Sequence, residues 1–102
     1  MNVGNYSNAV ESYEAALRLS PGHAENHFWL GWAHIQLAKG YVANKQPSKS
    51  RNNQSKATEH FRQASKLDPK GKIGKEAGRL YSILSSGVPN PLTGIVEPFP
   101  VR

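Results

Sequence analysis

One spacing pattern occurs twice in this chain of 102 residues and limits the folds open to it. Each copy has a small residue, an aromatic residue, a second small residue, a leucine and a proline at identical offsets. The copies are Ala9, Tyr13, Ala16, Leu19 and Pro21, and then Ala57, Phe61, Ala64, Leu67 and Pro69. Apolar residues spaced by three and four share one face of an α-helix, and a proline beyond them ends it. The pattern therefore predicts two equivalent amphipathic helices in an internal repeat.

Two further segments have helical periodicity. One runs from about residue 24 to 38 and includes the apolar stretch FWLGW, and the other runs from residue 72 to 85. We therefore predict an all-α fold of about four helices stacked antiparallel. Their expected ranges are near residues 6–20, 23–39, 54–68 and 72–86.

Two segments lack a helical pattern. Residues 44–53, NKQPSKSRNN, are polar, basic and interrupted by proline, which predicts a mobile loop or a frayed helical projection. Residues 87–102 contain four prolines, which predicts an extended tail.

The repeated pattern resembles the second helix of the tetratricopeptide repeat (TPR), a helix–turn–helix unit followed by proline. The resemblance implies an α–α superhelical array. Residues 1–21 would be the second helix of an incomplete repeat, and residues 22–71 one complete pair with an expanded turn and a basic insertion near 40–54. Residues 72–86 would be a C-terminal capping helix, followed by the tail at 87–102.

The first helix would then lack the partner helix that covers its apolar face. Each repeat buries that face only against its neighbours. Three explanations stay open: the chain is a fragment that lacks an upstream repeat, a second copy covers the helix in a homodimer, or a small monomer tolerates the exposure.

The resemblance also implies a ligand-binding groove on the concave surface, lined by the first helix of each pair. The residues carried over by register are Phe28, Trp32, Ile35, Lys72, Lys75 and Arg79. The competing interpretation is that Phe28 and Trp32 are core aromatics. A clamp for a C-terminal carboxylate is not favoured, because Trp29 and Glu76 stand where an asparagine and an arginine would be needed.

Thirteen lysines and arginines against seven acidic residues give a net charge of +6. A basic patch is expected around the insertion, made of Lys39, Lys45, Lys49, Arg51 and Lys56. Such a patch is either a solvated surface or an electrostatic contact with RNA, an anionic membrane or an acidic partner.

Several classes of function find no support. The chain has no cysteine, no catalytic triad, no phosphate-binding loop and no paired carboxylates, so we expect no enzyme activity and no cofactor. His23 and His27 are four residues apart and share a helix face, but Glu25 points away from both and no third ligand is evident, so no metal site is expected. His27 and His34, seven residues apart, are expected to be core residues with polar edges. The sequence has no apolar leader or membrane span, so we expect a cytoplasmic protein, with attachment to an organelle surface as the alternative.

These observations predict a TPR-type interaction module or scaffold that binds a peptide or partner helix on its concave face. The alternatives are a self-association unit that uses the first helix, and an electrostatic binder of RNA or anionic membrane that uses the insertion.

Overall fold

The computed structural model of the protein describes residues 3–86 and 91–95. Four α-helices follow one another: α1 (Val3–Leu19), α2 (Ala24–Ala43), α3 (Pro47–Leu67) and α4 (Lys72–Ser85). A short 3₁₀ turn, Pro91–Gly94, comes after them. Each helix packs on the next along the chain, and α2 also contacts α4. The described residues contain no strand, so the prediction of an all-α fold is confirmed.

Helix α2 is the centre of the molecule and is enclosed on most sides. Phe28, Leu30 and Ile35 have no exposed surface. The Phe28 ring meets the fully buried Phe61 of α3 edge to face, with centroids 5.7 Å apart. The repeat pattern correctly identified the core side of α3, because Ala57, Phe61 and Ala64 are all fully buried.

The connection between α2 and α3 is shorter than the sequence indicated. The loop predicted over residues 44–53 is wrong for residues 47–53, which belong to α3. The turn is tight because Lys45 adopts φ 60° and its N–H donates to the Val42 carbonyl at 3.0 Å, while the Gln46 N–H donates to Tyr41 at 2.8 Å. This is a Schellman arrangement, and Pro47 then begins α3 at a position that needs no N–H.

Side chains hold the added turns of α3 against α2. The buried Ser50 hydroxyl donates to the Ala38 carbonyl at 2.9 Å. The insertion is therefore absorbed by longer helices, the helical alternative that the sequence left open.

The tail also departs from the prediction where it is described. Residues 91–94 form a 3₁₀ turn instead of an extended tail, and Leu92 and Ile95 are buried in the core cluster. Burial of these two apolar side chains explains why the segment folds back onto the domain. The rest of the predicted tail, 87–90 and 96–102, lies outside the described residues.

The two helical glycines of α4 have different surroundings. A Cβ at Gly74 would lie against the backbone carbonyl of Asp68, closer than any van der Waals contact permits. A Cβ at Gly78 would meet only the Ser65 side chain, at 3.3 Å from its oxygen. Gly74 is therefore required by the turn between α3 and α4, whereas Gly78 is not.

We predict that Lys45→Gly stabilises the protein by about 0.5–1 kcal/mol, because glycine adopts the left-handed conformation without a Cβ penalty. Urea denaturation followed by circular dichroism measures the change. Ser55→Gly, in the exposed interior of α3, is the control and should lose up to about 0.5 kcal/mol. A lower free energy of unfolding in both variants would mean that the backbone at Lys45 is not under strain.

We predict that Gly74→Ala destabilises the protein by about 1–3 kcal/mol or more, since the methyl group must displace backbone. The matched substitution Gly78→Ala should be neutral or stabilise by up to about 1 kcal/mol through its higher helix propensity. Thermal denaturation of both variants tests this. Equal effects at the two glycines would contradict the close approach at Asp68.

Candidate functional site

One face of α2 keeps surface accessible to solvent along most of the helix. Its residues follow alternating spacings of four and three, which align side chains on an α-helix. The stripe consists of Glu25, Trp29, Trp32, Gln36 and Lys39. Gln36 is buried within it, while the other members are half-buried or exposed. The open face of α2 therefore has two indole rings between an acid and a base.

Contacts fix both indole rings in place. The Trp29 ring packs edge to face on Phe28, with centroids 4.8 Å apart. The Lys39 ammonium lies 5.8 Å from the centroid of the Trp32 ring, within the range of a cation–π interaction. Both tryptophans also pack against the hydrophobic core. Both indole rings are therefore held in fixed positions, and part of the surface of each stays accessible to solvent.

Three cations on α4 were predicted to line the groove. Lys72 and Lys75 are exposed. The Arg79 Nε donates to the Glu76 carboxylate at 3.0 Å, and this hydrogen bond raises the pKa of the guanidinium further above its usual value. Glu76 compensates the charge of Arg79, so Lys72 and Lys75 are the exposed lysines that this face of α4 presents.

The structure removes two residues from the predicted groove. Phe28 and Ile35 have no exposed surface and belong to the core cluster, so they cannot line an open surface. Their side of α2 faces α3, where Phe28 meets Phe61. Trp32 keeps partial exposure, and Trp29, which the groove prediction left out, lies on the same stripe.

The five cations of the predicted basic patch do not form one cluster. Lys39 lies over Trp32, Lys49 lies 5.6 Å from the centroid of Tyr41, and Arg51 lines an outer cleft. Because α3 is continuous here, Lys49 and Arg51 are separated by roughly 200° around its axis. Lys45 is in the turn and Lys56 is near the histidines described below. Lys49 and Lys56, seven residues apart, share one face of α3, so the five cations are divided between different sides of the fold and do not make one continuous patch.

The outer cleft lies between α3 and α4 and has a volume of about 550 Å³. Arg51, Thr58 and Tyr81 contribute to its polar lining. A second arginine in the cleft, Arg62, is bound to Glu59 by two hydrogen bonds, at 3.1 and 2.6 Å. These bonds lower the pKa of the Glu59 carboxyl to about 2. Arg62 is therefore already engaged, and the cleft is a mixed polar surface rather than a concentrated anion site.

Three histidines form a cluster on the other side of α2. His27 and His34 come from α2, and the ring of His60 from α3 stacks on His34 with centroids 5.8 Å apart. The sequence predicted His27 and His34 to be core residues with polar edges, and it did not single out His60. The seven-residue interval between His27 and His34 was the signal that they share a helix face, but only the packing of α3 brings His60 to them.

Within residues 3–86 and 91–95, no group of three or more potential metal-binding side chains has an arrangement that could hold a metal ion. Among the same residues, no helix has both the length and the apolar character needed to cross a membrane.

Comparison with known families identifies the repeat. A family model described as Tetratricopeptide repeat matches residues 1–23, which include α1 and the turn that follows it. This match supports a tetratricopeptide repeat in the N-terminal segment, and the four consecutive packed helices are consistent with the predicted all-α, TPR-like array. Neither the curated proteins nor the solved structures gave a match.

Proposed function

We propose that this chain, assigned to the tetratricopeptide repeat family through its N-terminal segment, is a non-enzymatic interaction module that binds a peptide with α2 and α4. Tetratricopeptide repeats generally bind other proteins or peptides and are typically not enzymes. The observation that carries the proposal is the open stripe of α2, because both tryptophans of the chain lie on it.

The chemistry of the two helices favours a peptide with acidic and apolar side chains. Indole rings that are already held in place bind apolar groups with little loss of conformational entropy. Tryptophan is also among the residues that contribute most to binding energy at interfaces. Lys72 and Lys75 are exposed on α4, which contacts α2, and their charge favours acidic side chains in the same peptide. A short amphipathic acidic peptide matches both features.

The two tryptophans provide a direct readout, since all of the indole fluorescence of the protein comes from the proposed surface. Short peptides rich in glutamate, leucine and phenylalanine should shift the emission and bind more weakly at high salt. Lys72→Glu with Lys75→Glu should weaken binding by about tenfold, or about 1.4 kcal/mol. Fluorescence titration and isothermal calorimetry measure the affinities.

The matched control is Lys66→Glu with Lys70→Glu, which makes the same charge change at two exposed lysines near the turn between α3 and α4. It should leave the affinity nearly unchanged. Trp32→Ala should also weaken binding, with circular dichroism used to verify that the variant is folded. Equal loss of affinity in the two double variants would reduce the effect to net charge and contradict a site on α4.

A second candidate function is self-association through α1, and one observation favours it. Tyr13 is only half-buried, whereas Phe61, which occupies the same position in the second copy of the repeat, is completely buried. None of residues 5–19 is fully buried, and Leu19 is 87% exposed. Covering this face would remove apolar surface from water and stabilise the helix.

If a second copy supplies the cover, the melting temperature of the wild type should rise with protein concentration. Tyr6→Lys with Tyr13→Lys should abolish the rise and yield a monomer in light scattering. Glu11→Lys with Ser12→Lys, at exposed positions of the same helix, should retain it. A wild-type protein that is monomeric at every concentration would exclude this function.

Binding of RNA or an anionic membrane stays an alternative prediction, for which the five cations would have to act from different sides of the fold. The cytoplasmic location expected from the sequence stays a prediction, and so does an upstream repeat as the cover of α1.

A further inference from the structure

The histidine cluster joins three parts of the fold through hydrogen bonds. The His27 Nε2 lies 3.1 Å from the Pro21 carbonyl in the turn between α1 and α2. Its Nδ1 lies 3.1 Å from the Nδ1 of His60 on α3. The cluster therefore links this turn, α2 and α3 at one point.

The partners determine which nitrogens carry protons. A carbonyl only accepts, so the His27 Nε2 is the donor to Pro21, and in the neutral ring the His27 Nδ1 is then an acceptor. The proton between His27 and His60 therefore belongs to the Nδ1 of His60. If both rings are protonated, two N–H groups face each other at this position and the hydrogen bond is lost.

His34 is constrained in a similar way. Its Nδ1 donates to the Asn53 Oδ1 at 2.8 Å, and the amide of Asn53 is oriented by its own donation to the Lys49 carbonyl. The Nε2 of His34 is buried and has no hydrogen-bond partner. A proton added there would create a charged, buried donor without an acceptor, which is costly.

Charged groups from each neighbouring element act on the cluster. Lys56 of α3 opposes protonation of His34 and His60. Glu14 of α1 favours protonation of His34, and Glu59 of α3 favours protonation of His60. Burial opposes protonation of both rings more than any other contribution, so these carboxylates only partly offset it.

We propose that His27, His34 and His60 form a pH-sensitive contact at the junction where the α1–α2 turn, α2 and α3 meet. The neutral rings hold these three elements together, and acidification weakens their contacts. The geometry favours the neutral cluster, because the hydrogen bond between His27 and His60 is lost when both rings are protonated. The buried Nε2 of His34 also has no acceptor for an added proton. Separation of the two facing rings would loosen the N-terminal half of α2 from α3 and disturb the contact with Pro21.

The direction of the pH dependence follows from the same contacts. Burial, with His27 and His34 as neighbours, lowers the pKa of His60 from its ordinary value of 6.5 to about 4. The unfolded chain therefore binds more protons than the folded one between these values. The stabilisation is complete above about pH 6.5 and decreases as the pH falls toward 4.

The melting temperature of the wild type should fall by on the order of 10 °C between about pH 7 and pH 4.5. His60→Gln keeps an N–H donor for His27 but cannot be protonated. The melting temperature of this variant should therefore fall by about half as much as that of the wild type over the same pH range. His23→Gln is the matched control, because His23 is exposed and its side chain does not cap α2. This variant should behave as the wild type.

Nuclear magnetic resonance of the wild type gives a second, independent test, which does not depend on the stability of a variant. The His60 imidazole should titrate well below its ordinary value of 6.5. Amide protection factors, which correct for the intrinsic pH dependence of hydrogen exchange, should fall at the junction on acidification before they fall along α4. A His60 titration near pH 6.5, or equal thermal losses in all three proteins, would overturn the proposal.

Discussion

The contact on which the rest of the structure depends is the packing of the Phe61 ring against the backbone of α2. A Cβ at Gly31 would lie only 3.0–3.2 Å from atoms of this ring, so the absence of a side chain at Gly31 permits the close approach. Phe28, three residues before Gly31 on α2, also packs against the Phe61 ring. With α3 held this closely, α2 becomes the buried centre of the domain. Helix α1 packs on α2, and α4 packs mainly on α3.

The central position of α2 and α3 also explains why two copies of one sequence pattern are buried to different extents. Phe61 lies in a helix that contacts both α2 and α4, and it is completely buried. Tyr13 lies in α1, which packs mainly on α2, and it keeps part of its surface open. In a repeat array, burial is determined by neighbouring units as well as by the repeat itself. The pattern predicts which face is apolar, and the number of neighbours decides how far that face is covered.

Sequence periodicity was sufficient for the fold but insufficient for the candidate site. The four helices and the core face of α3 follow from spacings of three and four, since those spacings hold for any amphipathic helix. Helix α2 is apolar on several sides, so the spacing alone could not decide which of its aromatic residues is exposed. Phe28 is fully buried and Trp29, its neighbour in sequence, is open because α3 covers one side of α2 and leaves the other. That choice depends on tertiary packing.

The basic insertion failed as a predicted patch for a related reason. The patch was predicted because a loop would bring cations that are close in sequence close together in space. The segment is instead helical, because a Schellman turn at Lys45 is followed by Pro47 at the start of α3. A helix distributes consecutive side chains around its axis, so Lys49 and Arg51 point in nearly opposite directions. Once the turn forms, helix geometry places Arg51 on the side of α3 roughly opposite Lys49 and Lys56.

Helix α2 carries both the tryptophan stripe and two of the clustered histidines, yet it keeps them apart. At 100° per residue, His27 and His34 lie on the side of the helix roughly opposite Trp29 and Trp32. Phe28 and Ile35 fill the core between these two sides. Protonation of the histidines can therefore affect the tryptophans only if α2 moves as a rigid body or the core between the two sides repacks. Since close-packed cores resist small deformations, the surface at the tryptophans can tolerate protonation until the helix itself is displaced.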